Sequence, residues 1–146
     1  TLAGPAALTK SGAGVLLLTG TSAASGPMTI AAGSFGAAFT NDAPLTAGPV
    51  AFAAGTAYVW DWSAAGAGGT LSAGSVTLPA TFTITAGRSG HPPARWPVLV
   101  SADTPIGTPL ESVTLDGFPN SVKAEYSADG RILFLTNQRG TMITIQ

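Results

Sequence analysis

The chain reads as all-β, with short strands recurring along one coiled domain, and three observations predict this. No stretch repeats apolar residues at three-to-four spacing over a dozen positions without Gly or Pro intruding, so helices are not expected. Runs of branched and aromatic residues, several in strict alternation, occur along the whole length. The early runs return at a spacing of about 20 residues, divided by small-residue turns, a period typical of coiled β-solenoids.

In chain order, strands are expected at Val15–Thr19, Met28–Ala31, Val50–Ala53, Tyr58–Trp62, Val76–Leu78 and Thr81–Thr85. They continue at Val98–Val100, Ser112–Leu115, Ser121–Tyr126, Arg131–Thr136 and Thr141–Ile145. Gly12-Ala13-Gly14, Gly20-Thr21-Ser22 and Ala32-Gly33-Ser34 punctuate the first runs, and the last are parted by Asp116-Gly117, Asp129-Gly130 and Arg139-Gly140. Asp-Gly between alternating runs signals a hairpin, because Gly accepts the positive φ that a tight turn demands.

One domain is expected over 1–146, in three parts. Solenoid-like rungs fill 1–86, a Pro-rich excursion around the single strand Val98–Val100 fills 87–111, and an antiparallel meander at 112–146 caps the end and guards a sheet edge. Charge divides at nearly the same place. Up to residue 87 only Lys10, Asp42 and Asp61 are charged, and the other ten charges, five of each sign, follow.

Charged residues make up 9 % of the chain, against about 25 % in an ordinary soluble domain. Gly, Ala, Ser and Thr stand in their place, a surface suited to facing another chain or rung rather than water alone. Self-association, or contact with flanking repeats of the same precursor, is therefore the expected partnership. Its expected edge is Val15, Leu16, Leu17 and Leu18, an apolar run guarded only by Pro5 and Lys10.

A net charge of −1 supplies no basic footprint for nucleic acid. No window of 18 continuous apolar residues exists to span a membrane as a helix. The absence of cysteine removes disulfides and thiolate metal sites. The chain opens on Thr1-Leu2-Ala3-Gly4 with neither Met nor a signal segment, which reads as a piece of a longer precursor.

Catalytic constellations are not found in the sequence. His91, the only histidine, sits between Gly90 and Pro92, its nearest serines Ser89 and Ser101 lack a nucleophile elbow, and it reads as a loop residue. The seven carboxylates are dispersed, and Asp116 and Asp129 read as turn formers. Gly66-Ala67-Gly68-Gly69 lacks the Lys-Ser/Thr of a phosphate loop. No enzyme activity, cofactor or metal is expected. Tyr58, Trp60 and Trp62 form an aromatic stripe on one face of a strand, which reads first as core and second as a platform for surface glycans.

The segment Leu8-Thr9-Lys10-Ser11-Gly12-Ala13-Gly14-Val15-Leu16-Leu17-Leu18-Thr19-Gly20, with Gly26 and Ala32-Gly33-Ser34-Phe35, resembles the autotransporter-associated β-strand repeat. The stretches Trp96–Val100, Val113–Leu115 and Tyr126–Leu135 are similar to the final coils of such passenger domains. The resemblance implies a right-handed parallel β-helix, exported to a bacterial cell surface or secreted, with a structural or adhesive role. A filament subunit and a glycan-binding module are the alternatives in function. In fold, the alternative is a β-sandwich or jelly roll, which short strands at 8–12-residue spacing also fit.

Overall fold

Residues 3–19, 23–38, 45–61, 69–87, 95–106 and 113–137 are described by the structure, a computed structural model. Among them every regular element is a strand, as expected. In order these are β1 (Ala3–Gly4), β2 (Leu8–Lys10), β3 (Val15–Thr19), β4 (Ala23–Ala24), β5 (Met28–Ile30), β6 (Ser34–Ala38) and β7 (Leu45–Phe52). There follow β8 (Ala57–Trp60), β9 (Leu71–Thr77), β10 (Phe82–Ala86), β11 (Arg95–Ser101), β12 (Val113–Asp116), β13 (Val122–Tyr126) and β14 (Ile132–Asn137).

The strands form two sheets, one of nine strands and one of five, and the chain passes repeatedly from one to the other. The five-stranded sheet has the order β12-β10-β8-β6-β3, each strand parallel to the next. In the larger sheet β2, β5, β7, β9 and β11 follow one another in parallel. Only β11/β14 and β13/β14 are antiparallel among the described pairings. That pattern argues against the sandwich and jelly roll, which are built from antiparallel sheets.

The spacing is less regular than about 20 residues. Val15 pairs with Ser34, Ser34 with Ala57, Ala57 with Thr83, and Phe82 with Val113, so the interval widens along the chain. The short links β2–β3, β5–β6, β7–β8 and β9–β10 keep nearly one length, while the returns β3–β4, β6–β7 and β8–β9 lengthen and the last interval also holds the longer β11–β12 link.

Two glycines let neighbouring segments of the larger sheet approach closely. A Cβ on Gly48, midway along β7, would stand 2.3 Å from the Ser25 carbonyl oxygen, and one on Gly26 2.2 Å from that of Pro5. Only the absence of a side chain lets these backbones approach so closely.

Side chains from successive strands stack in columns between the sheets. Leu16, Phe35, Tyr58, Ile84 and Leu115 are register partners in turn, and the middle three are wholly buried. Met28, Val50 and Val76 stack similarly from the larger sheet. Phe52 meets Tyr58 edge-on at 6.5 Å and Phe82 at 4.9 Å, joining the two sheets through aromatic contacts.

Two expectations need correction. The span 112–146 is not one antiparallel meander. Val113 and Leu115 continue the Phe82 and Ile84 columns, so β12 joins β10 in parallel, and only β13–β14 is a hairpin, turning at Asp129-Gly130. Asp116-Gly117 is a chain exit instead of a hairpin turn. The expected excursion contains a longer strand than Val98–Val100. Pro97 lies within β11 at a bulge against β14, and β9 pairs with β11 only from Leu99 on, so no ladder bond requires its missing N–H. Thr141–Ile145 lies outside the described residues.

Candidate functional site

The described part of the aromatic stripe, Tyr58 and Trp60, is interior. Tyr58 and Trp60 are both 0 % exposed, with the Tyr58 hydroxyl donating to the Gly69 carbonyl and Trp60 lying 6.2 Å from the Phe118 ring. Burial raises the Tyr58 pKa far above the ordinary tyrosine value. Neither ring offers a face to a sugar, which corrects the glycan-platform expectation for these two residues. Trp62 lies outside the described residues. Val59, on the opposite face, is buried as well, and Leu17 and Val59 approach from either side of Gly36.

Other residues singled out by sequence do not converge. His91, Ser89, Gly66, Ala67 and Gly68 lie outside the described residues. Ser101 is buried, donating to the Thr104 carbonyl and accepting from the Val76 N–H, which ties β9 to the chain leaving β11. Among the described residues no three His, Asp or Glu side chains come together as a metal site. Among the same residues no helix is long and apolar enough to cross a membrane.

What the structure does define are the two ends of the strand stack. At one end β3 pairs with β6 alone among the described residues, leaving its other edge open. Leu16 and Leu18 turn inward against the core, whereas Val15 is 61 % and Leu17 41 % exposed. The expected edge is thus two residues pointing in and two pointing out, as alternation requires.

Lys10 completes this end in a way the sequence reading missed. It shares a face with Leu8, is only 8 % exposed, and donates from Nζ to the carbonyls of Gly12 and Ala32, each at 2.9 Å. The ammonium therefore binds two successive turns together, and its charge is met by carbonyl dipoles of its own chain. The signal was the period-two placement of Lys10 beside Leu8.

At the other end, among the described residues, β12 pairs only with β10, and β13 only with β14. Between these strands runs an open groove of about 360 Å³, lined by Val113, Leu115, Phe118, Val122, Lys123 and Ala124. Among the described residues it is the end of the inter-sheet core. The outer face beside it is polar. Arg95 bonds Glu125 at 2.8 Å and lies over the Phe134 ring at 4.0 Å.

No protein-family model, curated protein or solved structure matches the chain.

Proposed function

We propose that this chain is a non-catalytic structural or adhesive segment built as a right-handed parallel β-helix, of the autotransporter-passenger kind, acting outside a bacterial cell. The observation that carries this reading is the in-register parallel stacking of β3, β6, β8, β10 and β12, with its continuous inward column from Leu16 to Leu115. A stack of this kind makes its core from neighbouring strands and extends by adding more of them, which suits a stalk or scaffold. The low charge and small side chains of the early rungs suit the same role, because their surface tolerates close contact with more of its kind. Self-association or flanking repeats would supply the partners.

The reading is tested by pyrene labels at Thr9→Cys and Thr29→Cys, exposed register partners on β2 and β5. Excimer emission is expected from this pair and not from labels at Thr9 and Thr114, which lie on different sheets. Absence of the excimer would overturn the β-helix, and turnover of a polysaccharide or ester panel by the purified chain would overturn the non-catalytic role.

A further inference from the structure

We infer that Asp116-Gly117 is a modification site, at which the chain converts itself to isoaspartate, and that the fold protects the second such dipeptide, Asp129-Gly130.

The two dipeptides start alike. Each Asp is exposed, and each Gly holds a positive φ, +84° at Gly117 and +72° at Gly130. An Asp followed by Gly is open to ring closure, because no side chain on the second residue hinders the approach of its backbone nitrogen to the carboxyl. Closure needs two freedoms. The peptide joining the residues must rotate until that nitrogen reaches Cγ, and the carboxyl must be free to take a proton, since a carboxylate resists attack.

At Asp129 both freedoms are removed. Gly130 N–H donates to the Ser127 carbonyl at 2.9 Å, which fixes the peptide. Oδ1 accepts from the Ser127 hydroxyl at 2.6 Å and from the Arg131 N–H at 3.1 Å, bonds that favour the ionised carboxylate.

At Asp116 neither group is held. Among the described residues the Gly117 N–H finds no acceptor, and the Asp116 carboxylate accepts no hydrogen bond. The chain's exit from β10 is different, for there Gly87 N–H donates to the Trp60 carbonyl at 2.8 Å and ties the end of that strand to β8. Asp116 is the last residue of β12, so the peptide that must turn lies where a ladder frays first.

The reaction needs only water. The Gly117 nitrogen attacks Cγ of the protonated Asp116 carboxyl, a C–N bond forms, and the nitrogen's proton leaves with the carboxyl hydroxyl as water. Water then opens the resulting succinimide at either carbonyl. Attack at Cγ restores aspartate, whereas attack at the α-carbonyl leaves Gly117 joined through Cγ. The isoaspartate so formed adds one carbon to the main chain just before Phe118, whose ring lies 6.2 Å from that of Trp60, and so disturbs the packing of the stack at β12.

Ageing of the wild-type chain at mildly acidic pH tests this. Trypsin releases the two sites on separate peptides, residues 96–123 and 124–131, and electron-transfer fragmentation locates isoaspartate within each. Isoaspartate is expected at Asp116 about 10-fold faster than at Asp129, the rate equivalent of one hydrogen bond to a charged group. The two rates should converge in guanidinium chloride, where the fold no longer separates the sites. Equal rates in the folded chain would overturn the proposal. So would an excess at Asp116 that persists undiminished in denaturant, since local sequence would then be its cause, or a folded chain in which Asp116 stays intact.

Discussion

The parallel stack from β2 to β10 and the antiparallel hairpin β13–β14 both turn side chains to the shared core, but with different chemistry. In the parallel stack each inner strand has neighbours on both sides, so its backbone groups are consumed by pairing, and small residues let the neighbours close in. Leu17 and Val59 meet over Gly36, and Gly48 lies under the Ser25 carbonyl. Only Lys10 and Asp61 are charged among the described residues there. The hairpin instead carries Lys123, Glu125, Asp129 and Arg131 at exposed or half-exposed positions and sits at an edge. Charge is therefore dense on the β13 edge, where it protects the strand, and sparse through the parallel stack, its edge strand β3 included.

The largest expected effect lies at the centre of the stack. Trp60→Ala should cost about 3–5 kcal/mol, because a wholly buried indole leaves a cavity between two sheets that cannot collapse independently. Phe134→Ala, on the half-exposed outer face of the hairpin, should cost less than half as much. Urea denaturation of both variants compares the regions directly, and equal losses would mean that the hairpin is as much a part of the core as β8.

Two glycines with nearly the same backbone angle sharpen the contrast. Gly33 has φ +74° and Gly130 φ +72°. A Cβ at Gly33 would fall 2.3 Å from the Gly14 oxygen and 2.5 Å from that of Gly12, in the neighbouring turn of the stack, while one at Gly130 meets nothing nearer than the Pro105 Cβ at 3.4 Å. Gly130→Ala should therefore cost about 1–2 kcal/mol, the conformational penalty alone. Gly33→Ala carries the same penalty plus the displacement of backbone that pairing holds in place. A difference of at least about 1 kcal/mol in favour of Gly130→Ala is expected from denaturation midpoints. Equal costs would show that neighbouring turns can separate freely.

Much of this was legible in the residues. Alternation in Tyr58-Val59-Trp60 and Met28-Thr29-Ile30 placed strands correctly, since inward residues there are large. Ser34–Ala38 and Leu71–Ser75 were not recognised as strands, because Ser, Ala and Gly carry little strand preference of their own. They are extended because parallel neighbours on both sides pair with their backbones. Asp116-Gly117 misled for a related reason. Its local hairpin signal is overridden by the match of Val113 and Leu115 to the Phe82 and Ile84 columns, a partnership some 30 residues distant that local pattern cannot express. The edge at Val15–Leu18 was legible as apolar and thinly guarded. That its outer half is Val15 and Leu17, and that the opposite end offers a groove, depends on pairings that only the fold reveals.

The smallest expected effects are those of pH, and they belong to the hairpin. Asp129 Oδ1 accepts from the Ser127 hydroxyl at 2.6 Å and from the Arg131 N–H at 3.1 Å, and these bonds hold its carboxyl below the ordinary 3.8. A depressed folded-state value stabilises the turn fully above the unfolded value, and that contribution is lost as pH falls through the lowered one. At the alkaline side burial pushes the Tyr126 hydroxyl up to about 12, with Tyr58 raised in the same direction. A raised value contributes stability that is whole below the unfolded 10.0 and lost as pH climbs through the folded value, because only the unfolded chain ionises in between. Asp129→Asn should flatten the acid limb of a urea-midpoint profile without touching the alkaline one, and Tyr126→Phe should do the reverse in part, Tyr58 remaining. An acid limb unchanged in Asp129→Asn would show that the turn is held by its backbone bonds alone, Gly130 N–H to the Ser127 carbonyl and Ser127 N–H to that of Ile132.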